Sequence, residues 1–197
     1  MRDETESPDA RRAMAGLLNI ERRFPSLPFQ PSPGSSVLVC QFDVAIASSF
    51  MADVVGQLLR ACDDSSIDLV VLEPPGRGYR LDADGAVGSA TRTERVVRDL
   101  FDAIEIEEDE FGGTISALAE VLVIAGSSAR WVLWAERDWE IAVLLAPRKM
   151  KHVLISTGLF FQPSDDFVGA LTPVGFPRFL SDDELRAFRD SVRAVTR

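Results

Sequence analysis

Apolar residues along this chain fall into continuous runs and helical stripes, and the two can be told apart. Val37 to Phe42 is apolar on both faces and predicts a buried strand. Met51, Val54, Val55, Leu58, Leu59 and Cys62 recur at spacings of three and four, the single stripe of a helix opened by Ser48 or Ser49. After the polar turn Asp63-Asp64-Ser65-Ser66, Ile67 to Leu72 reads as a second buried strand. Strand, helix and strand in this order predict a βαβ unit with two parallel strands and a right-handed crossover.

Beyond Leu72 the pattern loosens. Tyr79-Arg80-Leu81 and Ala86-Val87 flank Asp84-Gly85, a dipeptide that favours a tight hairpin turn. Thr91-Arg92-Thr93-Glu94 is a capping box, opening a helix with Val96, Val97, Leu100, Phe101 and Ile104 on one face. Ile115 to Ala125 reads as a helix, with strand as the alternative for Val121 to Ile124. Trp131 to Glu136 and Trp139 to Ala146 predict an antiparallel hairpin that is apolar on both faces and therefore covered on both. His152 to Thr157 reads as a further strand. Ser181-Asp182-Asp183-Glu184 is a second capping box, with Leu180 and Leu185 as its hydrophobic staple, starting a helix that runs to about Ala194.

At the N-terminus, Ser7-Pro8 opens a helix expected over 8–23, followed by four prolines between Phe24 and Gly34 that exclude regular structure. The expected organisation is an N-terminal helical arm and Pro-rich tether over 1–34, then one α/β domain over 35–197. That domain is expected to hold a mixed β-sheet of five or six strands with helices on both faces, including the N-terminal βαβ unit and the Trp-rich antiparallel hairpin. The arm is free to dock on its own body or on a partner.

Composition narrows the chemistry. With two cysteines, one histidine and no paired Cys-x-x-Cys, the 197-residue chain cannot build the usual Cys/His zinc site, and no metal or cofactor is expected. The glycines around Arg77 lack a third glycine and a following helix, so they make a turn rather than a phosphate cradle. Asp82 to Gly85 fails as a calcium loop because Arg80 and Thr91 stand where ligands belong. The polar N-terminus predicts no signal peptide, and no run approaches the ~18 apolar residues of a membrane span. A cytoplasmic location is the expectation.

The formal net charge is −10, which disfavours nucleic acid and anionic membranes as partners. Residues 98–111 alone carry seven acids against one base, chiefly Asp102, Glu105, Glu107, Glu108, Asp109 and Glu110. An acidic surface of this kind suits a basic protein partner. The leading expectation is therefore a non-enzymatic cytoplasmic protein-binding domain, with the charge logic of an immunity-type inhibitor or accessory protein. Phe160, Phe161, Phe167, Phe176 and Phe179 form a second candidate contact surface, and Trp131, Trp134 and Trp139 are either core or interface. A homo-oligomer is compatible with these features. The alternative is a small α/β hydrolase or transferase. In that reading Asp43 and Glu73, at the ends of parallel strands, act as acid and base or hold Mg²⁺, with His152 in the basic turn Arg148 to His152 as proton donor.

Overall fold

The computed structural model describes residues 16–47, 49–73, 77–82, 97, 114, 118–163 and 181–196. The elements in chain order are β1 (Ser35–Gln41), α1 (Phe42–Ala47), α2 (Ser49–Cys62), β2 (Ser66–Glu73), β3 (Arg77–Asp82), β4 (Val121–Gly126), β5 (Val132–Glu136), β6 (Ile141–Pro147), a 3₁₀ turn (Arg148–Met150), α3 (Lys151–Ser156) and α4 (Asp182–Thr196). The six strands form one sheet in the order β1-β6-β5-β4-β2-β3. The fold is of the α/β class, with a strand-rich core and helices on both faces.

The sheet divides the apolar side chains by parity. Leu38 and Cys40 of β1, Ile67 and Leu69 of β2, and Leu144 of β6 face one core with the α2 stripe, all of whose six residues are buried. Val37 and Val39, Val70, and Val143 and Leu145 face the other, under Phe188, Val192 and Val195 of α4. Each fully buried aliphatic or phenyl side chain contributes about 1.5–3 kcal/mol, so both coverings matter to stability. This two-sided burial is why the strands read as continuous apolar runs.

Such runs are usual in parallel sheets, and here the expectation of a mixed sheet is corrected. Every pairing among the described strands is antiparallel. β1 and β2 do point the same way, as a strand-helix-strand unit requires, but β6, β5 and β4 lie between them. The helix α2 carries the chain across the whole face instead of to the adjacent position.

Three further expectations change. Residues 16–23, within the expected N-terminal helix, form turns and a bridge between Leu18 and Phe29. Leu18, Phe24, Leu27 and Phe29 are all buried in the second core, so the Pro-rich stretch lies on the sheet. Val121 to Ala125 belongs to β4, the strand alternative, rather than to a helix. His152 to Thr157 is not a strand: β6 finishes where Pro147 faces Ser35 at the start of β1, leaving no strand to pair with. The backbone satisfies itself as a helix instead, with Leu154 buried and Val153 exposed. The capping box at Ser181 forms as expected, the Ser181 backbone N–H donating to Glu184 Oε2 at 2.7 Å and the Glu184 N–H to Ser181 Oγ at 3.3 Å. The Asp84-Gly85 hairpin turn, most of the helix opened at Thr91, and Leu180 lie outside the described residues.

Candidate functional site

One row of the sheet's register fixes the geometry of the strand-end carboxylates. Glu73 faces Val121, Val121 faces Glu136, Glu136 faces Ile141, and Ile141 faces Gln41. Glu73 is thus four strands from Gln41, about 19 Å at the usual strand spacing. Asp43 lies just beyond Gln41, exposed in the first turn of α1, where a carboxylate suits the positive end of the helix. Antiparallel β6 runs away from this end, and its terminal Pro147 sits beside Ser35, so the basic turn begins at the opposite end of the sheet. His152 is exposed on α3 beyond that turn. The proposed acid, base and proton donor therefore share no common centre.

Glu73 has a different neighbour from the one expected. Two strands away in the same row stands Glu136, only 4% exposed. Its Oε1 accepts the Trp134 indole N–H at 2.7 Å and the Phe24 backbone N–H at 3.1 Å. Burial pushes the Glu136 carboxyl above its ordinary range, against the lowering effect of these two donors and of Arg23. Arg23 in turn binds the Glu73 carboxylate through Nε at 3.1 Å and through Nη2, and places its guanidinium 5.4 Å from the Trp134 ring centre. Phe24, Trp139 and Phe188 pack their rings together beside this group, with centroids 5.6–6.2 Å apart. The arrangement fastens the N-terminal segment to β5 and α4. A carboxylate so enclosed, with one oxygen doubly engaged, is built to hold two donors in place and not to meet a substrate.

The other candidates resolve in the same direction. Trp131, just before β5, and Trp134 within it are buried in the two opposite cores, and Trp139 is half-buried against Phe188, so the tryptophans pack the core. Phe160 is 1% exposed and has no ring to offer a partner. Phe161 exchanges both backbone hydrogen bonds with Val39 at 2.9 Å, closing part of the outer edge of β1. Phe167, Phe176 and Phe179, and the acidic residues Asp102, Glu105, Glu107, Glu108, Asp109 and Glu110, lie outside the described residues. Both cysteines are free and buried, and burial pushes both thiols up, which makes them poor nucleophiles. Among the described residues, no group of three metal-ligating side chains comes together, and no helix is long and apolar enough to cross a membrane.

The role of Glu136 escaped sequence reasoning, although its signal was the one that selected Asp43 and Glu73: a carboxylate ending an apolar strand. Its partner Phe24 comes from a segment more than a hundred residues away, which no local pattern reveals. Comparison with known proteins adds no relative: no family model, curated protein or solved structure matches the chain.

Proposed function

We propose that this chain is a non-enzymatic protein-binding domain of the cytoplasm, an accessory or immunity-type inhibitor that meets a basic partner through its acidic segment. The observation that carries this reading is where the charge falls. Of the net −10, residues 98–111 supply seven acids against one base. Val97 precedes this segment and Ala119 follows it, and both are buried in the core beneath α2. The acidic stretch is thus joined to the domain on both sides by residues anchored in one core. Concentrated charge of this kind speeds encounter with a partner of opposite sign and makes association sensitive to salt. The two free, buried thiols suit a reducing compartment.

The test compares wild type with a variant carrying Asp102→Asn, Glu105→Gln, Glu107→Gln, Glu108→Gln, Asp109→Asn and Glu110→Gln. Affinity capture from the native host at low and high salt is followed by measuring affinity for the purified partner. A basic protein retained by wild type at low salt and lost both at high salt and with the folded variant supports the proposal. A partner held equally by both chains, or indifferent to salt, overturns it.

A further inference from the structure

The end of the sheet opposite Glu73 carries an unassigned feature. An open cleft of about 360 Å³ lies along the outer edge of β1, lined by Ser35, Ser36, Arg148, Lys151, Gln162 and Thr196 among others. We propose that this cleft binds a phosphoryl group, either as the free ion or carried on a small molecule.

Four observations support this. First, the named lining residues include two cations and no carboxylate, although acids outnumber bases by ten in the chain as a whole. Arg148 and Lys151 make no side-chain ion pair among the described residues, whereas Arg23, Arg186 and Arg193 each hold a carboxylate. Lys149 of the same turn points elsewhere, donating to the Ala61 carbonyl at 3.3 Å. A fork of guanidinium donors beside an ammonium suits a tetrahedral oxyanion with more than two acceptor oxygens.

Second, the turn bearing the cations is fixed to the strand that bears the hydroxyl. The Arg148 backbone N–H donates to the Gly34 carbonyl at 2.9 Å, and Ser35 pairs with Pro147 in the β1–β6 ladder. Arg148 and Lys151 are three residues apart across the junction of the 3₁₀ turn and α3, a spacing that keeps side chains on one side. The Ser35 hydroxyl lies on the α4 face of β1, the side of Val37, and is shared only with Ser32 at 2.8 Å, so it can donate to an incoming oxygen.

Third, the element whose dipole opposes an anion here is partly neutralised. The C-terminal end of α4 borders the cleft, and its free carbonyls would repel negative charge. The Val195 carbonyl is taken by the Ser32 N–H at 3.1 Å, and the Val192 carbonyl accepts from the Thr196 hydroxyl at 3.1 Å.

Fourth, size and field select against large ligands. A volume near the lower limit of small-molecule pockets, roughly 300–1,000 Å³, admits a phosphate with a short appendage. The net charge of −10 repels an extended polyanion while leaving a local cationic cleft usable. The proposal is independent of the acidic segment, and neutralising that segment leaves it untouched.

The experiment is amide NMR titration of the full chain with inorganic phosphate and, separately, with glycerol phosphate, each against sodium chloride at matched ionic strength. Saturable shifts centred on Ser35, Ser36 and Lys151, weakened about tenfold in Arg148→Gln or Lys151→Gln, are the expected result. Tighter binding of the ester identifies a carried phosphoryl group, and equal binding identifies the free ion; either supports the proposal. Shifts reproduced by chloride, or affinity unchanged in both variants, overturn it. Both side chains reach solvent, so the variants should fold, and thermal unfolding of each verifies this.

Discussion

The indole N–H of Trp134 donates to Glu136 Oε1 at 2.7 Å, two residues along the same strand and on the same face. The same oxygen accepts the Phe24 N–H, so one carboxylate joins β5 to the N-terminal segment. Burial raises the Glu136 pKa, with the sign that follows. A carboxyl whose folded pKa lies above its unfolded value favours the folded state most when protonated. That contribution is present below the unfolded pKa and is lost as pH rises through the folded one. Glu136→Gln keeps an acceptor for both donors and removes the buried charge. Urea unfolding across and above the carboxylate range should show the glutamine variant gaining on wild type as pH rises. Glu136→Ala instead strands two buried donors and should cost about 1–3 kcal/mol at every pH. An unchanged pH dependence in Glu136→Gln would refute the assigned cause.

A second prediction concerns the N-terminal segment. Leu27 is fully buried in the second core, and its backbone N–H donates to Ser191 Oγ of α4 at 2.7 Å. The segment is thereby part of the folded core. Leu27→Ala should cost about 2–5 kcal/mol by equilibrium unfolding, the range for a truncated core leucine. Loss of less than about 0.5 kcal/mol, usual for surface substitutions, would mean that the segment is dispensable.

What the residues disclosed in advance depended on the range of the interactions. The α2 stripe is a local period, and all six of its members are buried where the period placed them. The capping box at Ser181 spans four residues and was equally legible. The pairing of β1 and β2 was not, because continuous apolarity reports burial on both faces and carries no information on neighbours or direction. Leu18, Phe24, Leu27 and Phe29 were hidden by the prolines among them, which exclude regular structure without excluding packing. At the strand ends, Asp43 and Glu73 stand out only by position along the chain. The ladder sets them four strands apart and gives Glu73 to Arg23 and Glu136 as neighbours, a long-range outcome with no local signature.

The cap itself yields a titration test. Glu184 Oε2 accepts from both the backbone N–H and the hydroxyl of Ser181, at 2.7 and 2.8 Å. These donors favour the ionised form and lower the Glu184 pKa. With the folded pKa below the unfolded one, the stabilising contribution is present above the unfolded value and lost as pH falls through the folded one. In Ser181→Ala, the Glu184 carboxyl should titrate closer to the ordinary glutamate range by carbon-detected NMR. The backbone N–H of residue 181 remains in this variant, so a titration curve identical to wild type would show that the Ser181 hydroxyl does not contribute.

The tightest steric prediction lies at the end of β4. Asp64 accepts the Trp131 indole N–H at 2.8 Å through Oδ2, and the backbone N–H of Ser128 donates to Oδ1. A Cβ on Gly126 would run into both Asp64 Oδ2 and Trp131 Nε1. The glycine is required here by this close approach, since alanine would force apart the carboxylate and the indole that it brings together. Gly126→Ala should therefore cost about 2–4 kcal/mol, the sum of overpacking and a lost half-buried hydrogen bond. Asp64→Ala removes one of the two clashing groups and leaves the indole, and Gly126→Ala should then cost less. A double-mutant cycle measured by urea unfolding checks this, and additive costs would show that Gly126 and Asp64 do not share the contact.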